Sequence, residues 1–176
     1  GELPRTPDAS IEQLLEQATT AKTPEKAALL RLSAADMAYK QNNPGRSSQI
    51  LAQVPLDVLK PAAQVFASTL AAELAMARNQ PKAALTALSH PSLLSLKDLP
   101  TEQQLRTGSV HARAYEADGQ TLAAARERVA MAPLLSGDAA KSNHEAIWAL
   151  GAAVPADPLQ ASGTPTLDGW ITLAQA

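Results

Sequence analysis

Three times along this chain, a stretch able to form a helix ends on Asn or Gly and a second one starts within a few residues. The segments are Ala38-Tyr39-Lys40-Gln41-Asn42-Asn43 before Pro44, Met76-Ala77-Arg78-Asn79 before Pro81, and Ala114-Tyr115-Glu116-Ala117-Asp118-Gly119 before Leu122. With Asn43, Asn79 and Gly119 as equivalent turn residues, the intervals are 36 and 40, near the ~34 of tetratricopeptide repeats. Five positions past each turn stand Ser48, Ala84 and Ala124. Small residues there let paired helices approach closely. A pair of short helices cannot hide its apolar faces alone, so the pairs must stack and share a core.

Composition favours the same answer. Ala and Leu make up 62 of the 176 residues, against 4 Ile, 6 Val and 5 aromatics. That is helix-forming and strand-poor material. Capping residues, Pro and Gly place the helices. A first runs from a cap at Asp8 or Ser10 to about Thr20, and a second from Thr23-Pro24 to about Gln41. A short one carries Ile50 and Leu51 and closes at Pro55. A longer one, from about Asp57 to Ala77, is apolar almost all round and therefore central. Asn79-Gln80-Pro81 opens a short helix that stops at His90-Pro91, and Ser92 to Leu99 make one further turn. Helices follow from Leu99-Pro100-Thr101 to Ala117, from Gly119 to about Pro133, and from Asp138 to Leu150.

The expected fold is all-α, a right-handed, tetratricopeptide-like stack of helical hairpins (an α-solenoid) of about eight or nine helices; an irregular bundle is the competing arrangement. The helical repeat domain is expected over residues 1–150 and a loop or linker over 151–169. Residues 170–176 would open a further, truncated helix.

Fifteen Lys and Arg against 17 Asp and Glu give a formal charge of −2, too balanced to bid for nucleic-acid phosphates. The absence of cysteine excludes disulfides, thiolate metal sites and a cysteine nucleophile within these residues. Even the richest apolar stretch, Pro61 to Ala77, is interrupted by Glu73 and followed by Arg78, so no membrane span is expected. Residues 1–10 lack the basic-then-apolar pattern of a signal peptide.

Catalytic constellations are weak. His90, His111 and His144 lack the i, i+4 partner of a helical metal face. His90 suits helix-end hydrogen bonding and His144 a surface. Glu12 with Glu16, and Asp98 with Glu102, read as solvated helix faces rather than acid–base pairs. Arg126 and Arg128, which flank Glu127, read as surface charge, Trp148 as core, and Tyr39 and Tyr115 as packing between helices. Gly108 sits inside a helix without a phosphate-binding motif, which points to a close helix crossing. No catalytic, cofactor-binding or metal-binding residue is expected. For a partner surface the candidates are Arg106, Ser109, Arg113 and Glu116, which spacings of three and four set on one side of a helix. Such a stripe suits an acidic peptide or a glycan stem carboxylate; a solvated outer face is the ordinary alternative.

Three segments resemble the N-terminal domain of the LpoA outer-membrane lipoproteins, activators of penicillin-binding proteins. They are TPEKAALLRLSAADMAYKQNNPGRSSQIL at 23–51, LSHPSLLSLKDLPTEQQLRTGSVHARAYEADGQTLAAARERVAMAPLL at 88–135 and NHEAIWAL at 143–150. The resemblance implies a tetratricopeptide-like domain, a lipid anchor on a cysteine ahead of it, and a following domain similar to periplasmic binding proteins. It also implies a place on the periplasmic face of the outer membrane and stimulation of a bifunctional penicillin-binding protein through that following domain. The stretch at hand would be a monomeric, non-catalytic scaffold and spacer that touches the membrane only through its anchor, with peptidoglycan or another envelope protein as further partners. The alternative is a general peptide-binding repeat module that captures an extended segment of an envelope protein.

Overall fold

The structure is a computed structural model that describes residues 7–153, with side chains from 10 to 151. Within them it is all helical: α1 (Pro7–Thr19), α2 (Pro24–Lys40), α3 (Pro44–Leu51), α4 (Pro61–Ala77), α5 (Pro81–Ala87), α6 (Thr101–Ala117), α7 (Thr121–Met131) and α8 (Gly137–Ala153). Short 3-10 segments occupy Leu56–Val58, Pro91–Asp98 and Ala132–Leu134. The tetratricopeptide-like expectation holds: α2/α3, α4/α5 and α6/α7 form hairpins, and α4 packs against both α2 and α6. Helix α1 rests on α2, and α8 rests on α7.

The turns repeat to the atom. The peptide N–H groups of Asn43, Gln80 and Gln120 donate to the carbonyls of Ala38, Ala75 and Tyr115 at 2.9, 2.9 and 2.8 Å. Those of Asn42, Asn79 and Gly119 donate to Tyr39, Met76 and Glu116 at 2.9, 2.9 and 3.1 Å. This pair of bonds closes a helix around one left-handed residue. Those residues are Asn42 (φ 63°), Asn79 (φ 58°) and Gly119 (φ 77°).

The first turn residue is therefore Asn42, not Asn43. Asn43 instead caps α3, its side chain accepting from the Arg46 N–H at 3.2 Å. Two adjacent asparagines hid the register, since either tolerates both roles. Five residues past the corrected turns stand Ser47, Ala84 and Ala124, each fully buried. Ser47 satisfies its hydroxyl by donating to the Ala35 carbonyl at 2.7 Å.

Prolines set most boundaries. Thr23 caps α2, accepting from the Lys26 N–H at 3.1 Å, with Pro24 as first residue. Helix α4 starts at Pro61 rather than Asp57, because the residue before a proline is pushed out of the helical region and Lys60 lies at ψ 161°. Neither Asp8 nor Ser10 precedes α1; both lie within it. The expectation that α4 is central holds: nine of its residues, from Val65 to Ala75, are buried.

The core follows the stack. One cluster joins α1 to α4 through Ile11, Leu32, Ile50 and Leu70. A second joins α4, α5 and α6 through Ala72, Ala84, Leu88 and Val110. A third gathers Leu122, Ala125, Val129 and Leu150 between α7 and α8. Residues 151–153 of the expected linker belong to α8; its remainder from residue 154 on, and the helix start at 170–176, lie outside the described residues.

Candidate functional site

The first helices of the three hairpins carry the densest polar chemistry. Asp36 on α2 and Glu73 on α4 are each only 7% exposed, and Arg106 on α6 answers both. Its Nε donates to Glu73 Oε1 and Oε2 at 3.0 and 3.2 Å, and its Nη2 to Glu73 Oε1 at 2.7 Å. The same Nη2 reaches Asp36 Oδ1 at 2.6 Å. Its guanidinium lies 5.1 Å from the Phe66 ring centroid, within cation–π range. Lys40 pairs with the other Asp36 oxygen at 3.2 Å. Burial works against the Arg106 charge, but the hydrogen bonds and negative charge of Glu73 and Asp36 outweigh it and hold the group above the ordinary arginine value. Tyr39, beside this cluster, has its hydroxyl pKa raised by burial and then by Glu73.

Next to the cluster lies a cleft of about 480 Å³ between α2, α4 and α6. Leu29, Ala63, Phe66, Leu99 and Pro100 make it largely apolar, while Gln103 and Arg106 give it a polar side. Leu29 is 40% exposed. Beneath, Thr69 and Thr107 share a hydrogen bond of 2.7 Å, and Gln103 Nε2 donates to Thr107 at 2.9 Å.

The four residues of the expected surface stripe separate. Ser109 and Arg113 are exposed. Arg106 turns inward and is consumed by Asp36 and Glu73. Glu116 accepts from Arg128 Nε at 2.5 Å. Sequence spacing sets a helical face, but it cannot reveal carboxylates lying 33 and 70 residues earlier in the chain.

The α6/α7 hairpin carries a second cluster. His111 stacks on Tyr115 with ring centroids 4.5 Å apart, and its Nδ1 lies 3.4 Å from Glu127 Oε1. Burial lowers the His111 pKa and raises that of Glu127. Of the two arginines read as surface charge, Arg126 is exposed but Arg128 is half-buried and pairs with Glu116, and Glu127 between them is half-buried against His111. His90 caps the 3-10 segment as expected, its Nδ1 accepting from the Ser92 N–H at 3.1 Å. His144 is exposed and accepts from Trp148 Nε1 at 2.9 Å; the core residue of α8 is Ile147, with Trp148 half-buried. At Gly108, where the sequence pointed to a close helix crossing, the atoms nearest the buried glycine are those of the Met131 side chain from the end of α7: a Cβ there would lie 2.8 Å from Met131 Sδ. None of the described helices is long and apolar enough to cross a membrane.

Residues 4–176 match the family described as LppC putative lipoprotein. The chain belongs to the LppC family. Among solved structures, this LppC-family chain is similar to the amino-terminal domain of E. coli LpoA, at 20% identity and TM-score 0.65, covering 99% of this chain and 81% of that one. It is likewise similar to the LpoA N-terminal domain of Haemophilus influenzae, at 22% identity and TM-score 0.59, covering 97% and 78%. Against full-length H. influenzae LpoA the TM-score is 0.61 at 22% identity, covering 97% of this chain. The LppC-family chain spans 31% of the length of that structure. No functionally curated protein matches it.

Proposed function

We propose that this chain is the non-catalytic helical arm of an outer-membrane lipoprotein that stimulates a bifunctional penicillin-binding protein in peptidoglycan synthesis. The arm lies on the periplasmic side as a monomer, without a cofactor. A following domain docks on the synthase, and the arm spans distance and orients it. The observation that carries this reading is the LppC match over residues 4–176, on a fold of three stacked hairpins. A stack held by neighbour contacts keeps its length, as a spacer requires. Ser109 and Arg113, with Arg106 and Glu116 braced behind them, form the face offered to peptidoglycan or another envelope protein.

A peptide-capture module is the second reading, favoured by the apolar cleft and the exposed Leu29. One experiment separates the two. The lipid-anchored full-length protein is made with residues 7–153 deleted, and separately with Leu29→Glu. Under the spacer reading the deletion still stimulates the purified synthase but fails to rescue cells lacking the protein, and Leu29→Glu rescues fully. Rescue by the deletion, or loss of stimulation in the purified assay, overturns the spacer reading. Failure of Leu29→Glu alone establishes capture.

A further inference from the structure

In a stack of helical hairpins each unit touches only its neighbours, so bending at successive interfaces adds up freely along the array. Arg106 departs from that scheme. It sits on the first helix of the third hairpin and hydrogen-bonds Glu73 on the second and Asp36 on the first. The α2 and α6 helices both pack against α4, so the Arg106–Asp36 bond bridges units that are next-nearest neighbours, 70 residues apart in sequence.

We infer that Arg106 is a mechanical tie that couples the first and third hairpins and fixes the bend of the arm across all three units. Its geometry suits the task. The forked contact with Glu73 fixes the plane of the guanidinium, which lies over the Phe66 ring at 5.1 Å, and this leaves Nη2 aimed at Asp36. A lysine could supply the charge but not the fork. Both carboxylates are nearly excluded from water, so screening by salt weakens the tie far less than it would a surface pair. Lys40 on the outer Asp36 oxygen steadies the carboxylate without crossing to another unit.

This inference deepens the spacer reading and rests on it for its use in the cell, but its test involves no synthase. The chain has no cysteine, so labels can be placed at will on exposed Glu16 of α1 and Ala130 of α7 by Glu16→Cys and Ala130→Cys in the whole 176-residue chain. Pulsed electron-spin resonance then reads the distance distribution between them. Asp36→Ala removes the link to the first hairpin and leaves the Glu73 fork, so the distribution should broaden while circular dichroism keeps its helix content. Asp36→Asn, nearly isosteric, serves if the alanine variant does not fold, and should broaden it to a smaller extent. Lys40→Ala, which spares the tie, should leave the parent distribution unchanged. An unchanged distribution in the folded Asp36 variant, or equal broadening in Lys40→Ala, overturns the inference.

Discussion

His111 and Glu127 face each other across α6 and α7 with opposite needs. Burial makes each prefer its neutral form, so the Glu127 pKa is raised from 4.5 and the His111 pKa lowered from 6.5. A raised carboxyl pKa means that the folded state holds the proton more tightly. Its contribution to stability is complete below about 4.5 and is lost as pH rises through the folded value. His111 runs the other way: its contribution is present above about 6.5 and is lost as pH falls through its depressed value. Glu127→Gln removes the desolvated charge and keeps a polar oxygen of the same shape facing His111 Nδ1. The variant should therefore be more stable than its parent at pH 7.5, with the difference shrinking toward zero near pH 4. Urea midpoints of both proteins across that range check it. Comparison at each pH cancels the His111 part to first order, and a parent more stable at pH 7.5 would mean that the pair works as a true ion pair. Nothing in the sequence reveals this site, because Arg126-Glu127-Arg128 has the look of a solvated run. Only the packing of α7 against α6 brings Glu127 beside His111 and Arg128 beside Glu116.

Helix ends carry the repeat, and they were the most legible part of the chain. Pro24, Pro44 and Pro81 open helices where their spacing says they should, and Asn79 and Gly119 close them. Local chemistry decides such positions, so a single sequence displays them. Three helix ends escaped, the start of α1, the start of α4 and the one-residue register at Asn42-Asn43, and so did the side-chain pairings between helices, Arg106 above all. Gly119 offers a clean measure of how much the turn contributes. A Cβ added there meets nothing within 4 Å, so only its φ of +77° resists substitution. Gly119→Ala should cost about 1–2 kcal/mol, the penalty of a left-handed L-residue. Gly119→Asn should cost clearly less, because the two other hairpins use Asn at this place and its side chain tolerates the conformation. Thermal or urea unfolding ranks the two; equal losses would show that side-chain crowding, not backbone handedness, sets the turn residue.

At the scale of the whole stack, burial is graded. Helix α4 packs against α2, α3, α5, α6 and the 3-10 segment at Pro91–Asp98, and it is apolar almost all round. Helix α8 rests on α7 and the Ala132–Leu134 segment, over a cluster whose only fully buried member is Ala125. Helix α1 is held by α2 and by the Arg46–Glu12 pair reaching across from α3. Among the described residues α4 is packed on the most sides and α8 on fewer, so opening free energies should be higher in α4 than in α8. Native-state hydrogen exchange should therefore find the slowest amides in α4, intermediate ones in α2 and α6, and the fastest helical amides in α8. The Arg106 tie adds a distinguishing detail. Because it joins the first hairpin to the third, α2 and α6 should open together in the parent chain and separately in Asp36→Asn. Uniform protection from α1 to α8 would mean that the domain unfolds as one cooperative block, with its rigidity spread through the core instead of concentrated in the central layer of first helices.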